Sequence, residues 1–307
     1  MSAGGGKAAI IAALLANAGI AVAKFIGYLI TGSSSMLAES VHSVADTSNQ
    51  GLLLLGGKRA QREATQEHPF GYGRDRYFYS FVVALMLFSL GSVFALYEGV
   101  HKLAEHEPLS SPLVAIAILL VAIVLESLSL RTAVRESRPL KGNGSWWQFI
   151  RQSKTPELPV VLLEDTGALL GLVFALGGVG LSVLTADPIW DAIGTMCIGA
   201  LLGVIAIILI VETKSLLIGD GAAPTELSRI RAAMVGGGVE RVIHLKTQYL
   251  GPDELLIAAK IAVPATMPTI EVAQIIDLAE ARVRDAVPAA RIIYLEPDLD
   301  RTPAGTS

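Results

Sequence analysis

Six long apolar runs alternate with polar connections along the first 217 residues, roughly Ala8 to Ile30, Met36 to Gly56, Phe78 to Val100, Pro112 to Leu130, Pro159 to Leu184 and Ile189 to Val211. A helix rises 1.5 Å per residue and satisfies its own backbone polar groups, so about 20 mostly apolar residues suffice to cross a bilayer. Each run is therefore predicted to be a membrane-spanning helix. The first is too long for a cleaved leader and carries Lys24 within it, which favours a retained helix.

From about Pro224 the pattern changes. It reads helix (Glu226 to Val235), strand (Val239 to Tyr249), a Gly251-Pro252-Asp253 turn, strand (Glu254 to Val263), helix (Thr269 to Val287) and strand (Ala290 to Glu296). Val242, His244, Lys246 and Gln248 alternate along the first strand, as expected of a sheet with one solvated face. Two domains are expected: a six-span transmembrane domain over 1–217 and an α+β domain over 218–307 with a disordered C-terminal end.

Composition agrees with a membrane protein. Of 307 residues 52% are hydrophobic and 17% charged, against about 25% charged in an ordinary soluble domain. A net charge of −4 leaves no basic excess with which to bind nucleic acid. Basic residues gather in two connections: Lys58, Arg59, Arg62, Arg74 and Arg76 after the second span, then Arg131, Arg135, Arg138, Lys141, Arg151 and Lys154 after the fourth. The alternate connections are short and nearly free of them, so the positive-inside rule puts the basic loops, both termini and the tail in the cytoplasm. The lone cysteine, Cys197, cannot build a thiolate metal site and is expected to pack as a small hydrophobe.

Charge inside a membrane costs about 2.5 to 3.5 kcal/mol per residue at a helix centre, so each such residue needs a reason. On the second span Glu39, His42, Asp46 and Asn49 recur at intervals of three and four and share one helical stripe. Glu164 and Asp165 interrupt the apolar start of the fifth span. One imidazole, several carboxylates and an amide suit a divalent cation, with zinc taking four nitrogen or oxygen ligands tetrahedrally. Lys24 either neutralises one of these acids or, within two turns of its span's end, reaches the interface, and Glu98, Glu126 and Glu212 are read as interfacial. Gly167 with Gly171, and Gly199 with Gly203, mark close helix approaches. A nucleotide-binding loop and the His-Glu-x-x-His of a zinc peptidase are both missing, which argues against an ATP-driven pump and against an intramembrane hydrolase.

Several stretches together resemble the cation diffusion facilitators, a family of metal-cation/proton antiporters. They are Ser33 to Gln50 on the second span, His68-Pro69-Phe70-Gly71-Tyr72-Gly73-Arg74 before the third, Glu212 to Gly219 after the sixth, and the tail ending Leu295-Glu296-Pro297. The resemblance implies a homodimer with a ferredoxin-like cytoplasmic domain and alternating access, not an enzyme. It also implies a His-x-x-x-Asp pair on the fifth span; here Asp165 stands where the aspartate belongs, but Val161 replaces the histidine. Leu163-Glu164-Asp165-Thr166-Gly167 is similar instead to the branch of the mitochondrial zinc exporter. His42, Asp46, Asp165 and Glu164 are the expected metal ligands, with Asn49 or a water as other candidates for the fourth. Other metal positions of the family are largely replaced, by Thr65 and Tyr72 in the loop and by Lys260 and Tyr294 in the tail, leaving His68 as a turn contact and His244 as an exposed strand residue. The function implied is export of a divalent cation, zinc first, in exchange for protons across a bacterial cell membrane. Alternatives are a manganese, iron or cobalt/nickel exporter of the same family, or a proton-coupled carrier of an organic solute.

Overall fold

The computed structural model describes residues 3–105 and 109–299. They fall into two compact units, one comprising residues up to Lys58 with Arg76–Lys214, the other Arg59–Asp75 with Ser215 onward. The disordered end expected of the tail lies outside the described residues, as does Glu107 of the third-to-fourth connection.

The first unit is helical: α1 (Ala3–Thr31), α2 (Ser34–Ala60), α3 (Asp75–Met86), α4 (Phe94–Glu105), α5 (Pro112–Lys141), α6 (Trp146–Gln152), α7 (Glu157–Thr185) and α8 (Ile189–Ile218). A π-helical stretch, Leu87–Val93, joins α3 to α4 without a break, so Asp75–Ala104 forms one rod. That rod, α5, α7 and α8 are long and apolar enough to cross a membrane. Helix α2 has 27 residues, but the polar stripe Glu39, His42, Asp46, Asn49 lowers its hydropathy. Of α1, the stretch Asn17–Thr31 is an apolar helix of shorter length. Among the described residues, four of the six expected spans are thus long and apolar enough on their own.

The unit is packed inside and apolar outside. Met36, Leu87, Leu119, Leu172, Leu202 and Leu209 are fully or almost fully buried in one core, while Leu29, Val121, Leu128, Val204 and Ile207 point outward. In water that outer surface would be unfavourable; against acyl chains it is matched. Cys197 is exposed on α8, so it belongs to this outward face and does not pack into the core as expected.

One helix runs well past its apolar pattern, and the connection after it contains another. Helix α5 starts at Pro112, where a proline's missing N–H is harmless, and continues past Leu130 to Lys141, its last turn carrying Arg138 and Lys141. The fourth-to-fifth connection contains the short α6, started by a capping box in which Ser145 Oγ accepts from the Gln148 N–H and Gln148 Oε1 accepts from the Ser145 N–H.

The second unit has the order α9 (Pro224–Met234), β1 (Arg241–Gly251), β2 (Glu254–Ala262), α10 (Thr269–Ala286) and β3 (Ile292–Asp298). Strand β2 is central, antiparallel to β1 and parallel to β3. Ile230 and Met234 of α9 and Val283 of α10 bury one face of the sheet with Leu255, Ile257 and Ile293. His244 and Lys246 point to solvent from β1. The loop before α3 belongs to this unit because Gly73 lies on the Leu250 carbonyl at the hairpin end, where any side chain would collide. His68 makes a turn contact, its ring edge-on to Tyr72 at 4.6 Å.

Candidate metal site

Within the helical unit, α2, α5 and α7 enclose a small polar cavity. It is lined by Asp46, Ser43 and Gln50 of α2, Glu126 of α5, Val161, Glu164 and Asp165 of α7, and Asn17 of α1. Its free space of about 10 Å³ is roughly what one water or one ion needs. Three of the four expected ligands, Asp46, Glu164 and Asp165, therefore face a common space.

His42 stands behind them. It is fully buried one turn from Asp46, with Nε2 3.5 Å from Asp46 Oδ2, and neither ring nitrogen makes a hydrogen bond. Asp46 Oδ1 is likewise buried without a partner. Buried polar atoms without partners cost about 1–3 kcal/mol each, so such a cluster calls for a ligand or a functional role.

The acids of α7 are held by neighbours. Asn49 Nδ2 donates to Glu164 Oε1 at 2.7 Å, and Ser129 Oγ of α5 donates to Asp165 Oδ2 at 2.9 Å. Adjacent helical residues diverge by about 100°, yet Glu164 and Asp165 both reach the cavity because it lies along the α5 and α2 sides of α7 at once. With each acid turned onto a protein partner, no three His, Cys, Asp or Glu side chains among the described residues form a ready coordination group. Binding an ion here requires side chains to turn from these partners.

The structure decides between the two readings of Lys24 and moves Glu126 from its expected place. Lys24 is fully buried and does not reach an interface; its ammonium donates to Glu39 Oε2 at 2.9 Å and Ser43 Oγ at 2.8 Å. The partner acid sits across from α1 on the polar stripe of α2, which holds the lysine inside. Glu126 is not interfacial either, because α5 continues well beyond it and brings it to the cavity wall. Glu212, by contrast, pairs with Arg151 at 3.3 Å near the end of its span.

Sequence reasoning missed Asp191 altogether. Fully buried at the start of α8, it accepts from Ser33 Oγ at 2.8 Å, the Ser34 N–H at 2.8 Å and Ser34 Oγ at 3.1 Å, while Ser35 Oγ donates to its backbone carbonyl at 3.0 Å. The clasp caps the N-terminus of α2, the helix that carries His42 and Asp46. A run of three serines before an apolar helix, with a lone aspartate opening another span, was the available signal. Gly171 lets α7 approach α2 so closely that a methyl group would meet Glu39 Oε1.

Residues 10–218 match the family model described as a cation efflux transmembrane domain. The human mitochondrial proton-coupled zinc antiporter SLC30A9 is 34% identical over 241 residues, 78% of this chain and 42% of that protein. Metal tolerance protein C4 of Arabidopsis thaliana is 30% identical over 258 residues, 82% and 56% of the two chains. Magnetosome protein MamB of Paramagnetospirillum magneticum is 25% identical over 269 residues, 87% and 85%. The chain spans 42% of the length of its mitochondrial relatives.

Proposed function

Because the chain belongs to the cation efflux family of membrane transporters, we propose that it is a proton-coupled exporter of a divalent metal cation, with zinc as the cargo. Asp46, Glu164 and Asp165 give oxygen ligands, and His42 gives the nitrogen. The observation that carries this reading is the small cavity between α2 and α7, lined by carboxylates and backed by the unbonded His42 and Asp46 atoms.

Ligands must shed protons to hold a metal, so protons and cation compete for the same side chains. Cytoplasmic metal displaces protons from the inward-facing site; protons arriving from the other side displace the metal. Asn49 and Ser129 orient the α7 acids and receive them again once the ion leaves. The helical part carries transport, and the tail of residues 218–307 joins two copies into a homodimer. Both termini face the cytoplasm of a bacterial cell, following the basic connections.

The cavity wall itself presents carboxylate, amide and hydroxyl oxygens and no imidazole, and His42 reaches the ion only by turning past Asp46. That favours manganese or ferrous iron as the second reading, because harder cations accept carboxylate and amide oxygens. Proteoliposomes carrying an internal metal indicator and an imposed pH gradient test both. Zinc uptake that outruns manganese uptake and is lost in Asp46→Ala and Asp165→Ala is the expected result. Manganese preference would replace the cargo, and wild-type uptake in both variants would remove the site.

A further inference from the structure

We propose that Glu126 of α5 is a direct ligand of the transported cation, so that the ion is held by three helices and not two. The proposal rests on reading the cavity as the ion site. Val161 lines the cavity at the family's histidine position and has no atom to offer a metal. Glu126 lines the same cavity.

Its placement follows from the helix. Ala115, Leu119 and Ala122 on one side and Ala133 and Ser137 on the other are buried; Glu126 continues their three-and-four spacing at the middle of the helix. One turn on, Ser129 of the same helix holds Asp165. A mid-span carboxylate needs a partner, and the one lysine of the spans nearby is taken by Glu39 and Ser43. Four carboxylates, Asp46, Glu126, Glu164 and Asp165, thus surround room for a single ion. Behind that cluster, His42 is fully buried, 3.5 Å from Asp46 and without a hydrogen bond at either nitrogen, and Asp46 Oδ1 in the cavity wall is buried without a partner. Both point to a cation as the missing partner.

Calorimetric titration of the detergent-solubilised full chain with zinc tests this. Glu126→Gln keeps shape and removes charge, and is expected to weaken zinc binding tenfold or more. Adding Val161→His to that variant returns a donor to the same wall and brings affinity back to within about threefold of wild type. Glu136→Gln, exposed ten residues on, leaves it unchanged. A folded Glu126→Gln that loses less than tenfold overturns the proposal, as does a loss that the histidine does not recover. Should Glu126→Gln misfold, carbodiimide labelling of the unaltered chain decides the matter by mass spectrometry. Zinc must then protect Glu126, and equal labelling with and without zinc refutes ligation. Asp46→Ala and Asp165→Ala separate the two readings. If they bind zinc as wild type does, the cavity itself is wrong; if they lose it while Glu126→Gln does not, only the third helix is.

Discussion

The ion pair between Lys24 and Glu39 makes a test of how this protein tolerates charge in its interior. At 2.9 Å and an effective dielectric of about 20, the mutual attraction is about 6 kcal/mol. Removing two ions from water costs several kcal/mol each, so the pair as a whole comes out near neutral. The imbalance appears when one member goes. Lys24→Met leaves Glu39 charged and fully buried with Oε1 already unbonded, which costs about 3–5 kcal/mol. Lys24→Met with Glu39→Gln removes both charges and returns to within about 1 kcal/mol of wild type, since replacing a buried pair by neutral groups is often neutral. Reversible unfolding of wild type, Lys24→Met, Glu39→Gln and the double variant in mixed micelles gives the four free energies, and the cycle isolates the coupling. If the double variant is as unstable as Lys24→Met alone, the instability does not come from an orphaned carboxylate and the reasoning fails. If Lys24→Met costs less than about 1 kcal/mol, Lys24 is not bound as described.

Two further outcomes are expected. Asp191→Ala strands the hydroxyl proton of Ser33 and the Ser34 N–H, while Ser34 Oγ keeps Thr195 Oγ1 at 2.9 Å; at about 1–3 kcal/mol per buried orphan, the melting temperature of the full chain should fall clearly, whereas an unchanged melting temperature would remove the clasp as a stabilising element. In the tail, burial, and then the adjacent Glu226 that its hydroxyl bonds at 3.0 Å, push Tyr249 above the ordinary tyrosine value of 10.0. The neutral phenol is the form the fold prefers, so its contribution is complete below pH 10 and is lost as pH rises through the higher folded value. The difference in tyrosinate absorbance between wild type and Tyr249→Phe should titrate well above pH 10, and an ordinary midpoint would show that the phenol is not enclosed.

Much of this was written in the chain's polarity. Four spans declare themselves among the described residues because acyl chains offer nothing to a bare peptide group, and the tail's strands do so because alternate residues meet solvent. Helix ends were less legible. The apolar run that begins at Pro112 stops at Leu130, but the helix continues to Lys141 on a polar surface that periodicity read as loop. That shortened reading placed Glu126 near an end and hid it. The buried stripe Ala115, Leu119, Ala122, Ala133, Ser137 was present in the sequence and would have placed it correctly. Lys24 stays open in the sequence for another reason: its place depends on Glu39, fifteen residues away, and only packing of α1 on α2 brings them together. His42, Asp46, Glu164 and Asp165 were visible as charges without an excuse. That His42 stands behind the cavity was not visible, because spacing fixes a residue's helix face and leaves its rotamer free.

The Asp191 clasp also gives α2 the mechanics of a lever. One end is fastened, and the load rides twelve residues away at Asp46, about 18 Å along the axis at 1.5 Å per residue. A tilt of only about 10° about the fastened end would swing Asp46 sideways by about 3 Å at that arm length. In the proposed metal site, that displacement would trade one set of carboxylate oxygens for another. Movement of this kind, small at its fulcrum and ligand-sized at its tip, needs no helix to unwind and leaves the serine end undisturbed.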